Sequence, residues 1–571
     1  MAQHREMKDD GEDKPLIQFN NNPADLVRDD DDDERAHLSD SISVPKPESQ
    51  RKFSLRKLLF FVGPGLLMSI AYLDPGNVES DLEAGTIAGF QLLWVLLIST
   101  FLGLLLQLMA VRLGIVSGQN LAEACCDIYP RVPRYALWVM IEIAIIGSDM
   151  QAVIGSAIAF NLISSGWIPI WGGVIITIVD TFVFLMLDRY GLRKLEVFFA
   201  FLIAIMAFMF GYEYIKVAPN QAAVARGMFV PMCRDCGTAE LEQAVGIVGA
   251  IIMPHNIYLH SALVQVILTN HLCTTIHTTT LPLVSLPHLS FCNPFLLLQS
   301  RKVDRTQREA KSEAILYNII ECVLVLTVSF VINLFIISVF AAAFYRHTNE
   351  QVRDICLNNS SPYTHFFPAN NKTFEANIQN GGYMLGCLLG PTALYIWAVG
   401  VWAAGQSSTM TGTYAGQYVM EGFVHLRWPR FVRVVVTRLI AIAPTLVVAI
   451  YRDVQDITGL NDFLNVLQSI QLPFALIPIL TVTNMRSIMN DFTNGVFWKS
   501  VGGLLIIIVC IINVYFIVDY LKHLNKLSVY VTAGIGSIIY LLFVGYLTKK
   551  CFSTLESCRS TCCSGGYETL E

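Results

Sequence analysis

Long apolar stretches separated by short polar connections follow one another along most of the chain. From residue 55 onward there are twelve such segments, each close to the ~20 residues that an α-helix needs to cross a bilayer. Because lipid satisfies no backbone hydrogen bonds, a series of segments of this length predicts a polytopic bundle of transmembrane helices. The predicted spans are 57–84, 88–112, 134–163, 167–187, 194–216, 240–265, 313–345, 384–420, 432–450, 460–483, 499–519 and 527–548.

The composition supports a membrane protein and argues against a soluble enzyme. The 571 residues are 54% hydrophobic and 15% charged, with a mean hydropathy of +0.52. The sequence contains no constellation of catalytic side chains, and nothing in it indicates a nucleic-acid partner. We therefore predict an integral membrane protein that is not an enzyme and that has the lipid bilayer as its main environment.

The polar ends of the chain are predicted to lie outside the bundle. Residues 1–50 are rich in Asp, Asn, Pro and Ser, which predicts a disordered cytosolic tail. Residues 51–550 hold the twelve-helix domain, and residues 551–571 form a cysteine-rich cytosolic tail. Both tails contain short patterns typical of signals for endocytic sorting adaptors, a dileucine type at Leu16 and Ile17 and a Tyr-x-x-apolar type at Tyr567 and Leu570.

Loop charges and glycosylation sequons predict the same orientation in the membrane. With the N-terminus in the cytosol, basic residues concentrate in the cytosolic connections. The connection between the seventh and eighth spans then lies outside, and it contains N-glycosylation sequons at Asn358 and Asn371. Cys233 and Cys236 also lie outside, where a disulfide can form. We expect cytosolic termini and residence in the plasma membrane, the endosome–lysosome membrane or both.

Two of the predicted spans contain helix breakers beside polar residues. The first reads Ala71-Tyr72-Leu73-Asp74-Pro75-Gly76-Asn77, and the sixth reads Ala250-Ile251-Ile252-Met253-Pro254-His255-Asn256. Proline has no amide hydrogen for the carbonyl four residues earlier, so the carbonyls of Ala71 and Ala250 are freed. At membrane depth, free carbonyls are tolerated where they line a cavity or bind ions.

These two breaks predict a transition-metal site near the bilayer midplane. A carboxylate is costly in lipid, so Asp74 is expected to have a function. Asn77, the two freed carbonyls and the thioether of Met253 complete a metal-ligand set. A soft sulfur suits first-row transition metals and contributes nothing to Ca²⁺ or Mg²⁺, so it acts as a filter. The helix-breaking residues are Pro75, Gly76 and Pro254.

The residues at the breaks resemble those of the natural resistance-associated macrophage protein (Nramp) family, in its animal divalent-metal-transporter branch. The resemblance covers about residues 50 to 550 and includes the runs 74–77, 253–256, 405–409 and 471–475. It implies an all-α polytopic fold, the LeuT-type 5+5 inverted repeat with discontinuous first and sixth helices, and two extra C-terminal helices. It also implies import by alternating access of Fe²⁺ and Mn²⁺, with Co²⁺, Cd²⁺ and Zn²⁺ as further candidates, together with protons. The metals are cargo and not cofactors, and a ferrireductase is an implied partner.

The resemblance also assigns residues to the metal and proton pathways. It places metal ligands on Asp74, Asn77, Met253 and the carbonyls of Ala71 and Ala250, and it adds Asn465, where many relatives carry Gln. His255 and His260 are then a proton relay or a pH-sensing gate, with a purely structural histidine as the alternative. Asp74 accepts protons as well as metal.

A second set of ionisable residues is expected to form a proton exit. Glu142 and Asp149 share one face of the third span, and Arg438 of the ninth is their expected partner. The alternative for Arg438 is that its side chain extends to the cytosolic interface. Relatives usually carry Glu three residues after this Asp, whereas this chain has Ala152, so the proton coupling is in doubt.

A segment at 266–299 departs from the family pattern. It contains no Asp, Glu, Lys or Arg. Removing it joins residues 261–265 directly to residues 300–305, which gives the sequence pattern of the family. Its first and last residues are compatible with splice-site codons, so one hypothesis is a retained in-frame intron and the other is a natural insert. Two other functions also stay open: a Na⁺-coupled amino-acid carrier of the same fold, and a non-transporting sensor or a splice form inactivated by the insert.

Overall fold

The described part of the chain is built almost entirely of α-helices, as predicted. The computed structural model describes residues 42–43, 72–188, 192–234, 236–265, 301–302, 307–374, 376–424, 430–451, 454–522 and 527–563. Ile42–Ser43 (β1) and Arg301–Lys302 (β2) form a two-residue parallel ladder. The helices are α1 Pro75–Ala88, α2 Leu93–Ser117, α3 Leu121–Ile128, α4 Arg131–Ile163, α5 Ile170–Asp188, α6 Leu192–Val217, α7 Gln221–Phe229, α8 Thr238–Ile251, α9 Pro254–Leu263, α10 Arg308–Phe344, α11 Asn349–Asn358, α12 Ile378–Leu389, α13 Pro391–Val424, α14 Arg430–Tyr451, α15 Val454–Gln471, α16 Pro473–Asn484, α17 Arg486–Met489, α18 Val496–Lys522 and α19 Leu527–Cys563.

Several predicted elements lie outside the described residues. These are Ala71, the segment 266–299, the sorting patterns at Leu16, Ile17, Tyr567 and Leu570, and the side chain of Arg438. The predictions made for them stay predictions.

Six helical stretches among the described residues are long and apolar enough to cross a membrane. Two shorter apolar helices, Ile170–Val179 and Leu439–Ile450, accompany them. Each predicted span overlaps a described helix, whereas the number of twelve crossings stays a prediction. The six stretches are Pro75–Ser117, Arg131–Ile163, Arg308–Phe344, Gly459–Asn484, Val496–Tyr515 and Tyr530–Ser553.

The predicted break in the sixth span is confirmed. Helix α8 ends at Ile251, and Met253 has extended backbone angles (φ −72°, ψ 122°) before α9 begins at Pro254. The first span is described only from Tyr72, and α1 begins at Pro75 with Asp74 as its N-cap. In both spans a helix starts on a proline, which suits the first helical position because its missing amide is not needed there.

The tenth span, which was predicted over 460–483, is kinked. Helix α15 ends at Gln471 and α16 begins at Pro473, whose ring cannot donate to the carbonyl of Ser469. The neighbouring carbonyl of Ile470 accepts a hydrogen bond from the hydroxyl of Tyr540 in α19, at 2.8 Å. Asn513 of α18 donates to the same carbonyl at 3.5 Å. The two C-terminal helices therefore satisfy the backbone at this kink.

Pro478 inside α16 produces a second freed carbonyl in the same span. Its missing amide leaves the carbonyl of Phe474 without a partner in its own helix. The hydroxyl of Tyr258 in α9 donates to that carbonyl at 2.9 Å. This hydrogen bond joins the inner half of the sixth span to the tenth.

Two other predicted segments differ in extent from the helices that the structure describes. The segment 384–420 is not one helix, because Gly390 has φ +92° and separates α12 from α13. A left-handed residue of this kind ends a helix, and glycine adopts it without steric cost. Helix α19 continues to Cys563, so the beginning of the region predicted as a tail is helical.

Two disulfides lie in or beside the loops that were predicted to be outside. Cys233 is bonded to Cys236, as the sequence suggested. Cys356 is bonded to Cys387, which joins α11 to α12 and was not predicted. The sequon asparagines Asn358 and Asn371 are both exposed in the same loop region.

Candidate metal site

The first break presents two acceptor oxygens that receive no hydrogen bond. Asp74 is 0% exposed, and its Oδ1 accepts the backbone amide of Asn77 at 2.9 Å. The side-chain amide of Asn77 donates to the carbonyl of Tyr72 at 2.8 Å. Asp74 Oδ2 and Asn77 Oδ1 are buried without a partner. A buried acceptor without a donor is costly, so this pair indicates a site for a cation.

The second break supplies a thioether and further acceptors. Met253 is 3% exposed, and the side-chain amide of Asn256 donates to its sulfur at 3.3 Å. Asn256 Oδ1 and His255 Nδ1 are buried without a hydrogen-bond partner. The carbonyl of Ala250 has no amide four residues later, because that position is Pro254.

Both halves of the sixth span contact the region of the first break. On one side, Gly246 of α8 packs against Ser80 of α1. A Cβ added to this glycine would lie 3.4 Å from the serine Oγ. On the other side, the Nδ1–H of His260 in α9 donates to Gln107 Oε1 at 2.6 Å. Gln107 in turn donates to the hydroxyl of Tyr72 at 3.1 Å. The first break therefore lies between the two halves of the sixth span.

Asn465 lies at the first break, although its oxygen is engaged. Its side-chain amide donates to the carbonyl of Gly76 at 3.4 Å. Its Oδ1 accepts from the side-chain amide of Gln151 at 2.7 Å. The structure thus places Asn465 beside the predicted metal ligands and shows that Gln151 competes for the oxygen a metal would need.

Gln151 is a residue that the sequence did not identify. Its amide lies over Gly76, where a Cβ would fall 2.6 Å from the nitrogen, so a larger residue at position 76 would require Gln151 to move. Gln468 of α15 donates to Gln151 Oε1 at 2.7 Å. Gln151 and Gln468 therefore hold α15 against the first break. A buried glutamine two residues after an intramembrane Asp was the available signal.

The two histidines occupy different surroundings. Both are buried in α9. His255 lies directly after the break, whereas His260 faces α2 through Gln107 and has its Nε2 3.9 Å from the sulfur of Cys322. His260 is thereby connected to Tyr72, two residues before Asp74, through a chain of hydrogen bonds. The relay role of both histidines stays a prediction.

The expected proton exit is only partly described. Glu142 is half-buried and accepts from the indole nitrogen of Trp138 at 3.0 Å, within its own helix. Asp149 is buried and faces Gly412 of α13, where a Cβ would lie 2.6 Å from its Oδ1. Glu142 and Asp149 lie along α4, but the geometry of Arg438 is outside the described residues, so the network stays a prediction.

The donor set at the breaks suits a transition metal held without a histidine or cysteine cluster. Among the described residues there is no group of three His, Cys, Asp or Glu side chains that could hold a metal ion. The breaks instead offer one carboxylate, two amide oxygens and one thioether. Oxygen ligands alone would accept hard ions, whereas the sulfur favours softer divalent ions.

Comparisons with known proteins agree on one family. Residues 65–519 match the model described as natural resistance-associated macrophage protein-like (Nramp). The chain is 58% identical to natural resistance-associated macrophage protein 2 of Mus musculus over 513 residues, which is 90% of this chain and 84% of the relative. It is 55% identical to natural resistance-associated macrophage protein 1 of Gallus gallus over 518 residues, covering 90% of this chain and 87% of the relative.

The fold is likewise similar to a solved structure. A crystal structure of a mutant Eremococcus coleocola manganese transporter superposes with a TM-score of 0.70 at 28% sequence identity, covering 91% of this chain and 98% of that one. The predicted all-α transporter fold is thereby confirmed, whereas the number of twelve spans stays a prediction.

Proposed function

The chain belongs to the Nramp family, and from this premise we propose that it is a proton-coupled symporter that imports Fe²⁺ and Mn²⁺ into the cytosol. The members of this family are transporters and not enzymes, and this chain is an integral membrane protein. The curated relatives and the manganese transporter of similar fold support transport of divalent metals. Co²⁺, Cd²⁺ and Zn²⁺ are further candidate cargo.

The observation that carries the proposal is the set of donors at the two broken helices. Asp74 Oδ2 and Asn77 Oδ1 are buried acceptors without donors, and the thioether of Met253 lies at the facing break. A divalent cation placed here gains the charge of Asp74 and the amide oxygen of Asn77. The half-helices beside the site then move against the rest of the bundle, so that the ion is exposed to one side of the membrane at a time.

Proton coupling is proposed to share the carboxylate that binds the metal. Asp74 holds either a metal ion or a proton, and His260 is connected to the first break through Gln107 and Tyr72. Asp149 and Glu142 continue along α4 toward the end that we predict to be cytosolic. Because Ala152 cannot carry a proton, we expect the number of protons moved per metal ion to be low.

The orientation and location are proposed from the loops. Disulfides form in oxidising compartments, so the pairs at Cys233–Cys236 and Cys356–Cys387 support placing these loops outside or in a lumen. The exposed sequons at Asn358 and Asn371 support the same side. The termini are then cytosolic, where sorting adaptors reach them, and a ferrireductase on the outside supplies Fe²⁺.

Uptake by proteoliposomes tests this function and separates it from its rivals. We expect ⁵⁴Mn²⁺ uptake that rises when the outside is made acidic and that is lost in Asp74→Asn. Uptake of amino acids driven by a Na⁺ gradient, in place of metal uptake, would establish the carrier of the same fold. If the full chain is inactive and a chain lacking residues 266–299 is active, the segment inactivates the transporter. If both are inactive, the function is not transport.

A further inference from the structure

Three side-chain amides beside the first break form hydrogen bonds that all run in one direction. The amide of Gln468 in α15 donates to Gln151 Oε1 at 2.7 Å. Gln151 of α4 donates to Asn465 Oδ1 at 2.7 Å, and Asn465 donates to the carbonyl of Gly76 at 3.4 Å. We call Gln468, Gln151 and Asn465 the amide chain. Its last donor faces the first break, so the oxygen of Asn465 faces Gln151 instead.

The first member of the amide chain has an acceptor without a donor. Gln468 is 0% exposed, and its Oε1 is buried without a hydrogen-bond partner. Gln151 and Asn465 are 1% exposed, so water cannot easily supply missing partners. A buried amide oxygen without a donor is costly. The chain therefore begins with an unsatisfied acceptor and ends with a donor at a predicted cation site, which is the reverse of what each end needs.

A reversed amide chain removes both mismatches. A turn of each amide by about 180° exchanges the places of its oxygen and nitrogen. Gln151 then donates to Gln468 Oε1, and Asn465 donates to Gln151 Oε1. The two hydrogen bonds of 2.7 Å are kept in the opposite direction. The hydrogen bonds that are lost run from Asn465 to Gly76 and from Gln151 to the carbonyl of Asn461, and both are longer, at 3.4 Å.

The three amides have to turn together. If Asn465 turned alone, its NH₂ group would face the NH₂ group of Gln151, and two donors cannot bond to each other. When all three turn, the oxygen of Asn465 lies beside the carbonyl oxygen of Gly76 with no proton between them. Two such oxygens repel, whereas a cation beside both offsets the repulsion. A metal ion at the first break therefore favours the reversed chain, and the observed direction suits the site without a metal ion.

We propose that Gln151 is a positioning residue that withholds the Asn465 oxygen until a metal ion reverses the amide chain. Asn465 then becomes a ligand beside Asp74 and Asn77. The metal ion gains this oxygen only by breaking the hydrogen bond from Gln151, so Gln151 lowers the affinity of the site. A lowered affinity suits a transporter, which has to release its cargo. This inference rests on the proposed function, because it concerns the same metal ion.

Gln151→Met separates this role from a purely structural one, because the two predict opposite changes in affinity. Methionine is similar in length and uncharged, and it cannot donate a hydrogen bond. One hydrogen bond is worth about two- to tenfold in an equilibrium constant. We therefore expect the full chain in detergent to bind ⁵⁴Mn²⁺ about two- to tenfold more tightly in equilibrium dialysis. If the amide chain only holds α15 against α1, the same substitution weakens binding.

Three further variants test the route of the effect. Asn465→Leu removes the withheld oxygen, and in that background we expect Gln151→Met to leave the Mn²⁺ affinity unchanged. Gln468→Met removes the donor that holds Gln151 Oε1, so it is expected to tighten Mn²⁺ binding as well. Gln417→Met removes a buried amide of α13 outside the amide chain, and as the matched control it is expected to leave the affinity unchanged.

The expected gain of affinity cannot come from misfolding, which would lower the affinity. The proposal is overturned if Gln151→Met binds Mn²⁺ no more tightly than the parent chain, or if the gain persists with Asn465→Leu. Binding that is lost in Asp74→Asn but unchanged in Gln151→Met overturns only the withholding role and leaves the proposed function standing. A parent chain that binds no Mn²⁺ overturns the proposed function and this inference together.

Discussion

Replacing Met253 with leucine removes the thioether while nearly conserving the side-chain volume. Met253 is 3% exposed, and its sulfur accepts the side-chain amide of Asn256 at 3.3 Å. Leucine offers no lone pair, so it can neither bind a metal nor accept that amide. The variant therefore tests the sulfur itself, whereas alanine would also create a cavity.

The expected cost to folding is small enough for the variant to be studied. A volume-conserving exchange of Met for Leu in a core usually costs less than about 1.5 kcal/mol. Leaving the Asn256 amide without an acceptor adds about 1 to 3 kcal/mol. Since proteins are typically stable by about 5 to 15 kcal/mol, most molecules are expected to stay folded.

The effect on ion selectivity is expected to be larger than the effect on Mn²⁺ uptake. The sulfur favours transition metals over Ca²⁺, so its loss should lower the ratio of Mn²⁺ to Ca²⁺ uptake about tenfold, which equals about 1.4 kcal/mol. Uptake of both ions by proteoliposomes measures this ratio. Met384→Leu, a fully buried methionine in α12, is the matched control. If the ratio of Mn²⁺ to Ca²⁺ uptake is the same in Met253→Leu and in the parent chain, the sulfur is not the filter.

Three further substitutions test the packing of α4 against Pro75, the coupling of protons to metal transport, and the disulfide between Cys356 and Cys387. Gly155→Ala places a Cβ that overlaps the ring of Pro75, so we expect a stability loss of about 1 to 3 kcal/mol, measured by thermal unfolding in detergent. Ala152→Glu restores the acid that relatives carry, and we expect more protons per Mn²⁺, measured with a pH-sensitive dye in proteoliposomes. Cys356→Ser breaks the link to Cys387 and is expected to cost about 2 to 5 kcal/mol, seen as a lower unfolding temperature.

Each of these changes has a matched control. For Gly155 it is Gly503→Ala, because a Cβ at position 503 meets nothing within 4 Å. For the coupling it is Ala152→Gln, which has the same size and no charge; equal proton movement in the two variants would exclude a role for the acid. For the disulfide it is Cys510→Ser at a free, half-buried cysteine. An unfolding temperature that falls equally in Cys510→Ser and Cys356→Ser would show that the link adds nothing.

The breaks were predictable from sequence because their cause is local. A proline removes the hydrogen bond of a carbonyl four residues earlier wherever it lies in a helix, so the break before Pro254 follows from one residue type. The same rule applies to Pro473, yet breaks were predicted only in the first and sixth spans. Gln468, Ser469 and Gln471 precede this proline, but no ionisable residue lies beside it, and only the packing shows which carbonyls accept hydrogen bonds from other helices.

The partners of the site residues were beyond the sequence because they come from other helices. Spacing along α4 placed Glu142 and Asp149 on one face, but it could not show that Gln151 contacts Asn465, more than three hundred positions away. The pairing of Cys356 with Cys387 depends in the same way on how α11 packs against α12. The ligand types were predicted, whereas the contacts that orient them required the tertiary structure.

The last two helices, α18 and α19, stabilise the kink in the tenth span. Tyr540 and Asn513 supply the donors for the Ile470 carbonyl, and the ring of Phe474 lies 5.6 Å and 5.5 Å from those of Tyr540 and Phe543. A chain truncated before α18 would leave that carbonyl bare in the membrane, at a cost of several kcal/mol. Helices α18 and α19 therefore support the tenth span at its proline, and we expect a chain without them to be less stable.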